Sequence, residues 1–190
     1  MNVTLRIPTT VEEFLAWEER QALRYEFDGV RAIEMVDGTS AHSEIAVNII
    51  VALRTRLGAD YKVYGSNFKL RMAGSVRYPD VMIVPTPVAG SAKSVTDPVV
   101  VFEVLSESTS RTDRLVKSQE YRAVPAIARY VIVEQTGIGA TVFERPDFEH
   151  PDWRGRPLTG ADTLLAMPEI GVGLRLGDCY AGIEFEPEPG

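Results

Sequence analysis

Two apolar runs decide the fold of this chain: YPDVMIV at residues 78–84 and VVVFEVLS at residues 99–106. Both runs are short and rich in β-branched residues, which predicts buried strands. A polar segment with helical spacing follows them and carries Lys117 and Tyr121. Because the second run has no polar alternation before Glu103, we expect it to be a central strand with both faces covered.

Each of the two runs carries one carboxylate, Asp80 at the start of the first and Glu103 inside the second. A buried carboxylate is costly unless it is paired or binds a cation. Two of them on neighbouring strands would repel each other, and a divalent metal such as Mg²⁺ would remove that repulsion. The alternatives are a turn carboxylate for Asp80 and an ion pair of Glu103 with Arg77, Lys117 or Arg129.

The order of these motifs is similar to that of one known family. The residues concerned are Arg24-Tyr25-Glu26-Phe27-Asp28-Gly29, His42 at the head of a helix, Pro79-Asp80, Glu103-Val104-Leu105-Ser106, Lys117 and Tyr121. As a set they resemble the Uma2 family, also catalogued as domain of unknown function 820, over about residues 10–133. That family is placed in the PD-(D/E)XK nuclease superfamily. The wider superfamily has a lysine two positions after Glu103, where this chain has Leu105. In Uma2 a lysine of the following helix is thought to take that place, which points to Lys117.

The resemblance implies a metal-dependent endonuclease, with DNA as the expected substrate. Asp80 and Glu103 would hold Mg²⁺ or Mn²⁺ and form the catalytic set together with Lys117. Lys117 would orient or deprotonate the attacking water, because a lysine side chain is long and flexible enough to reach a strand end from a helix. Arg114 and Gln119, on the same predicted helix, compete for this role.

Three further residues are supporting candidates. Glu26 follows a tyrosine in a predicted strand and either belongs to the acidic site or pairs with a neighbouring arginine. His42 lies near a helix N-terminus, which favours a phosphate contact, although a helix-cap contact would also explain it. Tyr121 lies four residues after Lys117 on one helix face, so it either hydrogen-bonds the site or packs on the sheet.

The order of elements predicts an α/β (α+β) fold with a mixed sheet flanked by helices. The resemblance implies a restriction-endonuclease-like αβββαβ core. We expect one domain over residues 1–183 and a disordered acidic tail at 184–190. We predict helices at 11–20, 41–57 and 110–122, the second capped by Ser40, and we interpret 85–98 and 146–162 as loops. Predicted strands lie at 24–27, 30–36, 61–64, 68–72, 77–84, 99–105, 128–134 and 140–145.

Composition limits the function classes. The 190 residues contain 20 Lys and Arg against 27 Asp and Glu, a net charge of −7, which argues against a broad basic nucleic-acid surface. No apolar run approaches the about 20 residues of a membrane span. No signal peptide is visible, and the single Cys179 cannot form an internal disulfide, so we expect a cytoplasmic protein. A homodimer is compatible with a duplex-cutting nuclease. The rival hypothesis is a non-catalytic interaction or regulatory protein on a nuclease-like scaffold.

Overall fold

The computed structural model describes residues 8–105, 111–145 and 152–185. In this part of the chain the elements are, in order, α1 (Val11–Glu18), β1 (Tyr25–Phe27), β2 (Ala32–Glu34), α2 (Ser40–Arg56), β3 (Tyr61–Gly65), β4 (Lys69–Arg71), β5 (Val76–Arg77), β6 (Val81–Pro85), β7 (Ser94–Val95), β8 (Val100–Val104), α3 (Arg111–Ala123), β9 (Arg129–Val133), β10 (Gly139–Glu144), β11 (Arg154–Thr159), β12 (Leu164–Met167), a 3-10 turn (Pro168–Ile170), β13 (Val172–Arg175) and α4 (Leu176–Cys179).

The main sheet has six strands in the order β11-β10-β9-β8-β6-β3. Its strands β8 and β9 are parallel, and the other neighbours are antiparallel. Strand β8 lies in the interior of the sheet, and Val100, Val101 and Phe102 are fully buried. The prediction of a central strand from this apolar run is therefore confirmed, as is the mixed α+β class.

The connectivity contains the expected core unit. In chain order, α2, the main-sheet strands β3, β6 and β8, α3 and β9 form an αβββαβ arrangement. Helix α2 packs on one face of the main sheet, and its residues Ile45, Ile49 and Leu53 are fully buried. The other face is covered by α3 together with a second sheet, with Tyr121 of the helix and Leu70 of β4 in one apolar cluster. Successive residues of β8 therefore point alternately toward α2 and toward α3.

The second sheet has the order β2-β1-β5-β4-β7, and β12 and β13 form a separate ribbon. This sheet shows that the single strand predicted over 77–84 is wrong. The chain leaves the second sheet after Arg77 and enters the main sheet at Val81. Pro79 lies between them, and proline has no N–H to continue a ladder. Asp80 consequently stands at the junction of the two sheets, one residue before β6.

Helix α2 begins one residue earlier than predicted. Its N-cap is Thr39 rather than Ser40, because the Thr39 hydroxyl accepts a 3.1 Å hydrogen bond from the backbone N–H of His42. That spacing is the usual one between an N-cap hydroxyl and the first turn. The N-terminus of α2, with His42 in its first turn, is thereby fixed.

Two predicted loops contain strands. Strand β11 lies within 146–162 and pairs with β10 along its whole length, because a β-hairpin partner can supply order that local composition does not predict. Strand β7 lies within 85–98 and pairs with β4. Ser110, the predicted first residue of the third helix, and residues 186–190 of the predicted tail lie outside the described residues. No helix in the described parts of the chain combines the length and the apolar composition needed to cross a membrane.

Candidate active site

Asp80 and Glu103 face each other across two neighbouring strands. The antiparallel register of β6 and β8 pairs Val81 with Phe102. Asp80 precedes Val81 and Glu103 follows Phe102, so the two acidic residues are the next pair of this register. Directly opposed residues point to the same face of a sheet. Their side chains are only 11% and 13% exposed, so two carboxylates share a largely desolvated position.

One oxygen of Asp80 is held from two sides. Its Oδ2 lies 3.1 Å from Nε2 of His42 and accepts a 2.8 Å hydrogen bond from the backbone N–H of Val104. The hydrogen bond with Asp80 raises the pKa of His42, although burial opposes this change. Gly38 allows the approach of the imidazole, because a Cβ at that position would lie 2.7 Å from Nδ1 of His42. The N-terminus of α2 therefore positions the His42 imidazole against Asp80 and not on an open surface.

Glu103 is held by Tyr121 of α3. The Tyr121 hydroxyl donates a 2.5 Å hydrogen bond to Oε1 of Glu103, and Nζ of Lys117 lies 3.9 Å from the same oxygen. Burial raises the pKa of Glu103 to about 8, with the charges of Asp80 and Glu26 adding to the effect and Lys117 opposing it. The two proposed functions of Tyr121, a hydrogen bond and core packing, both occur, since its side chain is also fully buried.

Lys117 is closer to Glu26 than to Glu103. Its Nζ lies 3.2 Å from both carboxylate oxygens of Glu26. Glu26 also accepts a 3.2 Å hydrogen bond from the backbone N–H of Tyr78, two residues before Asp80. The ammonium group therefore lies between a carboxylate of the second sheet and a carboxylate of the main sheet.

Arg77, suggested by the sequence only as a partner of Glu103, completes this arrangement. It is fully buried and donates through Nε and Nη2 to both oxygens of Glu120, at 2.7 and 2.9 Å. Its Nη1 donates a 3.0 Å hydrogen bond to Glu26. The one signal in the sequence was an arginine in the apolar segment Val76 to Val84, since buried arginines are almost always paired. Arg129, the third suggested partner of Glu103 besides Arg77 and Lys117, pairs instead with Glu144 and Glu169.

A family model described as "Putative restriction endonuclease", named Uma2, matches residues 11–177. The chain belongs to the Uma2 family. Two Synechocystis proteins are similar to it in sequence. One, slr1290, is 30% identical over 178 residues, 92% of either chain, and the other, sll1609, is 30% identical over 132 residues, 66% of this chain and 75% of that protein.

A crystal structure from Anabaena variabilis, described as that of a putative nuclease belonging to DUF820, has the same fold as this Uma2 chain. The TM-score is 0.71 and the alignment covers 92% of this chain and 98% of the other. Only 15% of the aligned residues are identical, so this likeness shows the fold and carries no residue-level assignment.

The acidic pair of this Uma2 chain has the chemistry of a hard-cation site. No group of three His, Cys, Asp or Glu side chains within 8–105, 111–145 and 152–185 is placed to hold a metal ion unaided. Mg²⁺ nevertheless usually takes only one or two carboxylates from a protein and completes its shell with water and substrate phosphates. Asp80 and Glu103 supply that number. Burial, with the nearby charge of Asp80, raises the pKa of Glu103 and so disfavours its charged form in the absence of a cation. The residues present therefore fit a divalent cation.

Proposed function

We propose that this Uma2 chain is a metal-dependent endonuclease that hydrolyses phosphodiester bonds in DNA. The observation that carries the proposal is the opposition of Asp80 and Glu103, with the ammonium of Lys117 3.9 Å from Glu103. Two desolvated carboxylates beside an ammonium group are the components that metal-assisted hydrolysis of an anionic ester needs. The description of the Uma2 family supports the same reaction class.

Asp80 and Glu103 would hold Mg²⁺ or Mn²⁺. A cation bound there would lower the pKa of a water molecule and offset negative charge on the scissile phosphate. A net charge of −7 argues against a broad basic surface for nucleic acid, but the positive charge of a bound cation would be local to the site. The site itself, rather than a broad basic surface, would then supply the attraction for the phosphate.

The protein's own groups would fix the geometry. His42 and the N–H of Val104 hold Oδ2 of Asp80, and Tyr121 holds Oε1 of Glu103. Such positioning lowers the activation free energy of hydrolysis substantially, because the reacting groups need no further ordering. Lys117, held by Glu26, would orient the attacking water or neutralise charge on the phosphate.

The proposal is tested with supercoiled plasmid DNA and Mg²⁺, with EDTA as the metal-free reference. Wild type should nick or linearise the plasmid only with metal, and Glu103→Gln should remain folded and inactive because the isosteric amide loses the charge. Glu44→Gln, the same change at an exposed residue of α2, should cleave like wild type. Cleavage by Glu103→Gln at the wild-type rate would refute the site. A wild type that never cleaves would favour the rival, a non-catalytic protein on this scaffold.

A further inference from the structure

The exposed side chain of Arg24 is held by two contacts. Its Nη1 donates a 2.7 Å hydrogen bond to the backbone carbonyl of Ser66. Its guanidinium carbon lies 5.9 Å from the centre of the Tyr78 ring, within the range of a cation–π contact. A long side chain that is anchored twice loses less entropy when it binds a further partner.

These contacts place Arg24 beside the acidic pair. Ser66 directly follows Gly65, which pairs with Val81, and Asp80 directly precedes Val81. Neighbouring strands lie about 4.8 Å apart, so Ser66 and Asp80 occupy adjacent positions at the same end of strands β3 and β6. A Cβ added to Gly65 would lie 3.8 Å from the backbone oxygen of Asp80, which agrees with this closeness.

The ion pairing of Arg24 differs from that of the cations around it. Within the described residues, no carboxylate lies within 4.0 Å of its guanidinium group, whose hydrogen bond goes to an uncharged carbonyl. Three other cations in this region each have a carboxylate partner: Lys117 with Glu26, Arg77 with Glu26 and Glu120, and Lys69 with Glu18. Arg24 thus presents a positive charge to solvent in a protein whose net charge is −7.

We propose that Arg24 binds a backbone phosphate of the DNA next to the phosphate that is cleaved. The inference rests on the proposed nuclease function and adds a substrate contact to it. Along one DNA strand the charges follow each other about every 3.4 Å of helix axis. A phosphate next to the one at Asp80 therefore falls within reach of Arg24, whose anchor Ser66 lies one strand away from Asp80. The planar guanidinium can donate two parallel hydrogen bonds to phosphate oxygens.

The test measures binding of a short fluorescent DNA duplex in EDTA, by anisotropy at several salt concentrations. Arg24→Ala should weaken binding roughly tenfold, the scale of one hydrogen bond to a charged group, and should make the slope of log affinity against log salt shallower by about 0.9. Arg24→Lys should keep most of the slope, because it keeps the charge, and lose part of the affinity.

Arg54→Ala is the matched control. Arg54 is an exposed arginine twelve residues after His42 on α2, about 18 Å along the helix, and its loss should leave the slope unchanged. Equal slopes and affinities for Arg24→Ala and Arg54→Ala would overturn the assignment, even where wild type cleaves DNA. A wild type that binds no duplex in EDTA would overturn this inference, and it would overturn the nuclease function as well if it also cleaves no plasmid with Mg²⁺. If Arg24→Ala weakens binding but the wild type never cleaves, the phosphate contact of Arg24 is supported and only the catalytic function is refuted.

Discussion

The hydroxyl of Tyr121 donates a 2.5 Å hydrogen bond to Oε1 of Glu103 and thereby joins helix α3 to the central strand β8. Tyr121 is fully buried, and its ring contacts Tyr130 edge-on at 5.1 Å between centres. Burial, aided by the negative charge of Glu103, raises the pKa of Tyr121 well above its usual value, so the phenol remains a donor. The orientation of the proposed metal ligand therefore depends on the position of α3.

We expect Tyr121→Phe to retain the fold and lose about tenfold in cleavage rate. The ring still fills the core, but Oε1 of Glu103 loses its donor, and an unsatisfied buried acceptor costs about 1–3 kcal/mol. Single-turnover cleavage with saturating Mg²⁺ measures the effect. The matched control is Tyr61→Phe on strand β3, which removes a hydrogen bond to the backbone carbonyl of Glu169 in the 3-10 turn. Equal rates for the two variants would mean that Tyr121 has only a packing function.

Lys117→Ala should lower the cleavage rate at least about 100-fold, the scale typical of one general acid–base group. The metal affinity should change little, because an ammonium is not a ligand. Leu105→Lys added to this variant should recover part of the activity, since Leu105 lies two residues after Glu103 and starts from the same sheet face. A folded and fully active Lys117→Ala protein would contradict this function of Lys117. Failure of the double variant would count only if circular dichroism showed it to be folded.

Substitutions of Glu26 and Glu120 distinguish an effect on the position of Lys117 from an effect on the stability of the fold. Both are partners of the buried Arg77, and Glu26 also contacts Lys117 at 3.2 Å. Each change to Gln should lower the free energy of unfolding, because a buried arginine loses a charged partner. Glu26→Gln should reduce cleavage far more than Glu120→Gln. Urea denaturation and cleavage assays on the two proteins measure both quantities, and equal activity losses would show that Arg77, rather than Glu26, governs the site.

The pH dependence follows from Glu103. Its pKa rises from 4.5 in the unfolded chain to about 8 in the folded metal-free protein. The proton is held more tightly in the folded state, so this contribution to stability is complete below pH 4.5 and is lost as the pH rises through about 8. Because a metal needs the carboxylate, the Mn²⁺ affinity should increase with pH up to about 8, with proton release on binding.

Calorimetry in two buffers of different ionisation enthalpy measures that proton release. The pKa of His42 is also raised, so loss of the His42 proton with rising pH would favour Mn²⁺ binding as well. The comparison therefore needs His42→Gln, which removes the imidazole and keeps both proposed ligands. A wild type whose Mn²⁺ affinity is the same at pH 6 and pH 8 would contradict the raised pKa of Glu103.

Much of the fold could be predicted because the strongest patterns are local. The short, β-branched apolar run around Phe102 predicts an interior strand, and the four-residue spacing of Ile45, Ile49 and Leu53 indicates one buried helix face. The division of 77–84 between two sheets could not be predicted, because the pattern of apolar residues does not reveal which partner each half finds. Strand β11 was missed for the same reason, since its order comes from pairing with β10.

The site shows the same limit. Asp80 and Glu103 could be paired from the sequence, since each stands out as a carboxylate in an apolar run. The contact between Lys117 and Glu26 could not, because it joins a helix to a strand 91 positions away. The buried Arg77 was visible as an arginine in an apolar segment, but its partners are fixed by tertiary structure. Ion pairs between separate layers require the fold before they can be assigned.

The most direct test of the account is a calorimetric titration of Mn²⁺ into the wild-type protein, Asp80→Ala and Glu103→Gln at pH 8. Both substitutions remove a proposed ligand, so the account predicts clear saturable binding to wild type and a loss of that binding in each variant. Circular dichroism shows whether the variants are folded. Equal heats for the three folded proteins, whether large or negligible, would contradict a metal site formed by Asp80 and Glu103.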